Sequence, residues 1–140
     1  MNVTFFGHRN TPYSIKDELK GRIIELIENR KADTFYIGKG GNFDYIAREC
    51  LKELEKDYPL IQVFTVLAYM PTENSGESTI FPSECATSHP KFAISRRNEW
   101  MIANSDIALT YVRHDWGGAW RYKRLALSKG LTVIEISEKN

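Results

Sequence analysis

The stretch Tyr36-Ile37-Gly38-Lys39-Gly40-Gly41-Asn42-Phe43-Asp44 decides the fold, because an apolar run ends there in a glycine-rich turn and a helical pattern begins at once. Glycines let backbone N–H groups converge on an anion, and a lysine among them adds positive charge. The first turn of the following helix contributes free N–H groups and the positive end of its dipole. The stretch therefore predicts a strand, a phosphate-binding turn and a helix.

Strand and helix patterns alternate on both sides of this turn. Short apolar strands are predicted at 2–6, 35–37, 60–68, 106–112 and 132–136. Helices are predicted at 14–30, from Phe43 to before Pro59, at 95–104 and at 118–129, with Ser14 and Ser95 as N-caps. This alternation predicts an α/β protein with three layers (α/β/α) and a mostly parallel, five-stranded sheet in the order 3-2-1-4-5.

The length of the chain predicts a single domain over residues 1–140. Hydrophobic periodicity disappears at about 70–93, where Pro71, Pro82 and Pro90 occur among polar residues. Long segments of this kind inside a compact domain are often lids or binding loops. We therefore expect an irregular loop or lid here.

Composition narrows the classes of function. The formal net charge of +1 argues against broad, charge-driven binding to nucleic acid. No apolar run approaches the roughly 20 residues that a membrane span needs, and the N-terminus lacks a signal-peptide layout. Cys50 and Cys85 lie far apart without metal-ligand spacing, so reduced thiols are expected. The chain is thus predicted to be cytoplasmic, without a membrane segment, a metal site or an identified cofactor.

Three turns are predicted to meet at one edge of the sheet. The order 3-2-1-4-5 reverses between the first and fourth strands, and ligands bind at the carboxyl ends of strands at such a reversal. The turns are Gly7-His8-Arg9, Gly38–Asn42 and 113–118, and all combine glycine with basic or polar side chains. The predicted ligand-binding residues are Gly7, His8, Arg9, Gly38, Lys39, Gly40, Gly41, Asn42, Asp44, Arg97, Gly117 and Gly118.

Plainer interpretations of these motifs remain open. The glycine turn could join a strand to a helix without a ligand, and Arg9 could be a solvated surface charge. His114 and Asp115 form a possible general-base pair, although a loop histidine beside an aspartate is more often incidental. Trp116 and Trp120 could stack on a base or pack under the last helix.

The motifs together resemble the SLOG superfamily, which includes the LOG phosphoribohydrolases and the Rossmann domain of DprA. The layout is most similar to small bacterial members of unassigned function. The resemblance rests on Phe6-Gly7-His8-Arg9, Gly38–Asp44, Arg97–Met101 and 106–118. It implies a Rossmann-like fold and a small-molecule, nucleotide-type ligand.

The enzymatic branch of the family provides a sharper comparison. LOG proteins carry an R-K-x-x-M run, which Arg97 to Met101 resembles, and a glycine pair, which Gly117 and Gly118 resemble. Their catalytic glutamate position holds Arg124 here, and a guanidinium cannot replace a carboxylate.

The leading hypothesis is therefore binding of a nucleotide or nucleotide-derived phosphate ligand. The alternative is a nucleotide N-glycosidase or a phosphoribosyl or deoxyribosyl transferase, with Arg97, Glu99 and Asp115 as candidate catalytic residues. A second alternative is a module that binds single-stranded DNA, as DprA does. Self-association into a homodimer or higher oligomer fits a small α/β domain of this kind.

Overall fold

A computed structural model describes residues 1–71 and 76–138 of the chain. The strands are β1 (Asn2–Gly7), β2 (Thr34–Ile37), β3 (Gln62–Val66), β4 (Thr79–Ile80), β5 (Ile107–Tyr111) and β6 (Thr132–Glu135). The helices are α1 (Lys16–Arg30), α2 (Gly41–Asp57), α3 (Ser83–Ala86), α4 (Ala93–Ala103) and α5 (Gly117–Ser128). Short 3₁₀ turns lie at Tyr13–Ile15 and Pro90–Phe92.

All six strands form one parallel sheet in the order β4-β3-β2-β1-β5-β6. The Rossmann-like α/β class is confirmed, and the predicted order 3-2-1-4-5 corresponds to β3-β2-β1-β5-β6. The predicted count of five strands is wrong, because β4 adds a sixth strand beside β3. Two residues are too few to show the alternating pattern on which the strand predictions depend.

Helices cover both faces of the sheet, as a three-layer architecture requires. On one face Phe5, Phe35 and Leu109 are buried together with side chains of α1 and α2, including Leu19 and Phe43. On the other face a second cluster joins Phe6, Val66 and Ala108 to Met101 of α4 and Ala126 of α5. Successive residues of β1 thus enter opposite cores, because neighbouring side chains of a strand point to opposite faces.

The segment predicted to be irregular contains regular elements. The strand β4, the helix α3 and the turn Pro90–Phe92 lie in it, while residues 72–75 lie outside the described ranges. Both predicted N-caps are wrong: α1 begins at Lys16 after a 3₁₀ turn, and Ser95 lies inside α4. Arg97 consequently lies beyond the first turn of α4.

Both cysteines are buried, and neither forms a disulfide. Across residues 1–71 and 76–138, every helix is too short or too polar to cross a membrane.

Candidate functional site

The three glycine-containing turns lie side by side at the carboxyl edge of the sheet. The N–H of Asn42, which follows the turn after β2, donates to the carbonyl oxygen of Arg9 at 2.9 Å. The N–H of Arg113, which follows β5, donates to Nε2 of His8 at 2.8 Å. We call residues 7–9, 38–42 and 113–118 together the rim. The rim follows the edge of the sheet from β2 across β1 to β5.

A cation and a carboxylate face each other over Gly38. The position that a Cβ of Gly38 would occupy lies 3.1 Å from Nη1 of Arg97 and 3.2 Å from Oδ2 of Asp44. Among the described residues no direct ion pair joins Arg97 to Asp44. The two groups therefore approach residue 38 so closely that a side chain there would be crowded; we call Gly38 with these two groups the cradle.

Arg97 reaches the cradle from α4 and is almost fully buried, with 8% of its surface exposed. Its Nη1 donates to the carbonyl oxygen of Val66 at 3.3 Å, and its Nε donates to Oδ1 of Asn98 at 2.8 Å. Beneath the cradle, Nη2 of Arg48 donates to the carbonyl oxygen of Gly38 at 3.0 Å. The sequence interpretation missed Arg48, which lies on the inward side of α2. These bonds fix both the guanidinium of Arg97 and the backbone of the turn.

The carboxyl group of Asp44 has an unusual acidity. Burial raises the pKa of Asp44 to about 6, although Arg97 and a hydrogen bond from the N–H of Gly40 act in the opposite direction. That N–H donates to Oδ2 at 3.1 Å. A carboxylate that is charged at neutral pH despite burial opposes folding, and such groups occur often at functional sites.

Asn in place of Asp44 is expected to raise the free energy of unfolding by about 1–2 kcal/mol at pH 7.5. The pKa is higher in the folded chain than the unfolded value of 3.8, so the carboxyl favours folding only while it is protonated. This contribution to stability is lost as the pH rises through about 6 and the carboxyl ionises. The side-chain amide of asparagine does not ionise, so the variant keeps its stability. Urea unfolding at pH 7.5 and at pH 4.5 tests this. A gain of equal size at both pH values, or a loss at pH 7.5, would contradict it.

The backbone donors of the glycine turn are only partly available to a ligand. The N–H of Gly40 is bonded to Asp44 and that of Asn42 to Arg9, so these two do not converge on an open position as expected. The N–H groups of Lys39 and Gly41 have no acceptor in the part of the chain that the structure describes. The side chain of Lys39 is exposed beside them. Two amides and one ammonium group therefore remain for an anion.

Two rim glycines have structural reasons to be glycine. A Cβ on Gly7 would lie 2.2 Å from Cγ of Phe43, which is buried in the core. Gly41 has a φ of +84°, and its Cβ would lie 2.6 Å from Cα of Arg9. Because both residues lack a Cβ, the start of α2 can pack directly against the end of β1. For Gly7 and Gly41, a role in ligand binding stays a prediction.

On the β5 side, aromatic rings line the rim. The ring of His8 stacks on His114 with centroids 4.1 Å apart, and His114 stacks on Trp116 at 3.9 Å. Burial, followed by the neighbouring His114, lowers the pKa of His8 below its ordinary value. Because Nε2 of His8 accepts a hydrogen bond, the ring is in its neutral form. Trp116 is 66% exposed, so it does not pack under α5.

The start of α5 lies next to these rings. Gly117 has a φ of +88°, and its Cβ position lies 3.8 Å from Cε1 of His114. A Cβ on Gly118 would meet no atom within 4 Å, so the surface there is open. The glycine pair thus exposes the first turn of α5 at the rim.

The structure does not bring Glu99 or Asp115 to Arg97. Glu99 forms an ion pair with Arg96 at 3.2 Å on an accessible part of α4, and Asp115 is an exposed loop residue. Asp44 is the carboxylate beside Arg97.

The turn after β5 is held by a carboxylate that the sequence interpretation missed. Oε1 of Glu135 accepts from Oγ1 of Thr110 at 2.7 Å and from Nζ of Lys123 at 2.8 Å. Its Oε2 accepts from the N–H of Val112 at 2.8 Å and from Nη1 of Arg113 at 2.6 Å. An acidic residue within an otherwise apolar strand is the signal that could have identified it.

Comparison with known proteins identifies no family. No protein-family model matches the chain, and no curated protein matches it. The SLOG resemblance therefore stays a prediction. Within the described ranges, no three His, Cys, Asp or Glu residues are grouped closely enough to hold a metal ion.

Proposed function

We propose that the chain binds a nucleotide or nucleotide-derived ligand at the carboxyl edge of the sheet, with a phosphate at the turn after β2. The observation that supports this most directly is the cradle over Gly38, with a buried guanidinium on one side and a carboxylate on the other. A ligand with both an anionic group and hydroxyl groups suits such a pair. A nucleotide has both.

The charges suggest how the ligand is oriented. A phosphate accepts hydrogen bonds from the N–H groups of Lys39 and Gly41, at the positive end of the α2 dipole. The ammonium group of Lys39 and the guanidinium of Arg97 add opposite charge. Asp44 repels phosphate but accepts hydrogen bonds from sugar hydroxyls, so the ribose lies on its side of the cradle. This orientation supplies a reason for a buried carboxylate in an anion site.

Calorimetry with adenosine 5′-monophosphate (AMP), adenosine and ribose 5-phosphate tests the proposal. AMP is expected to bind at least ten-fold more tightly than adenosine, because the phosphate contributes more than about 1.4 kcal/mol. Ala in place of Lys39 should weaken AMP binding, while Ala in place of Lys52, an exposed lysine further along α2, should not. Equal affinities for AMP and adenosine, or no binding of either, would reject the proposal.

A second candidate function is cleavage or transfer at the N-glycosidic bond of a nucleotide, and the acidity of Asp44 favours it. A carboxyl whose pKa is about 6 suits proton transfer near neutral pH, and its anion stabilises an oxocarbenium-like centre. Asp44 would take the role that the sequence interpretation gave to Glu99 or Asp115. Nucleoside monophosphates should then release free base, and Asn in place of Asp44 should abolish the release. Chromatography that detects no free base from purine or pyrimidine nucleotides would reject this candidate.

A further inference from the structure

A positively charged groove lies next to the rim, between the turn after β5 and the helix α5. It has a volume of about 380 Å³ and is lined by Arg113, His114, Trp120, Lys123 and Arg124, together with aliphatic side chains. Among the residues that the structure describes, no carboxylate lines this groove, which we call the α5 groove. Its volume is at the lower end of the range for small-ligand sites.

The sequence around the α5 groove is unusually one-sided in charge. Residues 116–134 contain four cationic residues (Arg121, Lys123, Arg124 and Lys129) and no Asp or Glu, in a chain with a net charge of only +1. Glu135 offsets two cations of the groove at once, since it pairs with Arg113 at 2.6 Å and with Lys123 at 2.8 Å. Two cations against one carboxylate leave a positive excess.

Arg124 adds to that excess. Its guanidinium lies 5.1 Å from the ring centroid of Trp120, and it forms no ion pair with any residue that the structure describes. A guanidinium held over an indole remains able to donate hydrogen bonds in its own plane. The groove therefore offers an anion both charge and directed donors.

Aromatic rings separate this groove from the turn after β2. The row His8–His114–Trp116 lies between them, and His114 also lines the α5 groove. The turns after β2 and β5 are two strand spacings apart, or roughly 10 Å. The carboxyl edge of the sheet thus presents positive charge, then aromatic rings, then positive charge.

We infer that the ligand of the proposed site carries a second phosphate on its ribose, as a nucleoside 3′,5′-bisphosphate does. The inference rests on the proposed function. One phosphate occupies the turn after β2, the base stacks on the exposed face of Trp116, and the other phosphate enters the α5 groove beside Arg124. A dinucleotide bridged by a pyrophosphate fits less well, because its negative charge lies in the middle and its bases at the ends.

Calorimetry with AMP, adenosine 3′,5′-bisphosphate and diadenosine diphosphate tests the inference. The bisphosphate is expected to bind at least ten-fold more tightly than AMP. Ala in place of Arg124 should remove this gain and leave AMP binding unchanged. Arg121→Ala is the matched control, because Arg121 is an exposed cation of the same helix that does not line the groove, so the gain should persist.

The outcomes separate the inference from the proposed function. If AMP binds but the bisphosphate binds no more tightly, or if the gain survives Arg124→Ala, the inference is overturned and the proposed function stands. A larger gain that depends on Arg124 for diadenosine diphosphate would also overturn it. If neither AMP nor the bisphosphate binds, the proposed function is overturned, and this inference with it.

Discussion

Ala in place of Gly38 is expected to weaken AMP binding by roughly 100-fold, or about 2.7 kcal/mol. The added methyl group would lie 3.1 Å from Nη1 of Arg97 and 3.2 Å from Oδ2 of Asp44, in the cradle that we assign to the ligand. Because Arg97 is held by the carbonyl oxygen of Val66, its guanidinium cannot move far from the methyl group. Crowding of this size should lower the free energy of unfolding by only about 1 kcal/mol. Calorimetry and urea unfolding measure the two effects separately.

Gly40 provides the matched control for Gly38. It lies in the same turn, its φ of −174° is accessible to any residue, and a Cβ there would meet no atom within 4 Å. Gly40→Ala keeps the N–H that bonds to Asp44 and should bind AMP within about three-fold of the original chain. The cradle assignment is wrong if Gly38→Ala binds AMP normally, or if the two variants lose affinity equally.

Much of the fold could be predicted from the sequence because burial repeats with the period of each element. Phe43, Ile46, Ala47, Cys50, Leu51 and Leu54 lie at helical spacing, and all six are buried in α2. The strand β4 was not predicted, because a strand of two residues at the edge of the sheet is too short to show an alternating pattern. The start of α4 was misjudged because Ser95 has the chemistry of an N-cap, whereas the preceding 3₁₀ turn at Pro90–Phe92 already leads into that helix.

The candidate site was less predictable, because its chemistry depends on residues from different elements. Sheet topology was sufficient to place the three turns at one edge. The proximity of Asp44 to Arg97 follows instead from how α4 packs on the sheet, which no local pattern encodes. The raised pKa of Asp44 is a consequence of that burial. Its bond to the N–H of Gly40 was foreseeable, since acidic residues in the first turn of a helix often accept such bonds.

Ala in place of Gly7 is expected to cause the largest loss of stability, about 3 kcal/mol or more. The new Cβ would lie 2.2 Å from Cγ and 2.7 Å from Cβ of Phe43. Rotation of the Phe43 side chain cannot relieve the second contact, because Cβ does not move when the side chain rotates. The start of α2 would have to move away from β1, and the turn that carries Lys39 and Gly41 would move with it. Urea unfolding should show the lower stability, and AMP binding should weaken even if Gly7 never touches the ligand.

A double-mutant cycle with Phe43→Ala measures how much of this steric effect comes from the ring of Phe43, since alanine keeps the Cβ. Phe43→Ala alone should cost about 3–5 kcal/mol, since the ring is buried among Phe5 and its neighbours. With the ring removed, the contact at 2.2 Å disappears, so the double variant should be 1–2 kcal/mol more stable than additivity predicts. Gly21→Ala is the control, and it should raise the free energy of unfolding by up to about 1 kcal/mol. Gly21 is exposed in α1 with open space around its Cβ position, and alanine favours the helix over glycine. Strict additivity for Gly7 and Phe43 would mean that the ring of Phe43 adds nothing to the clash with its Cβ at 2.7 Å, which alanine retains.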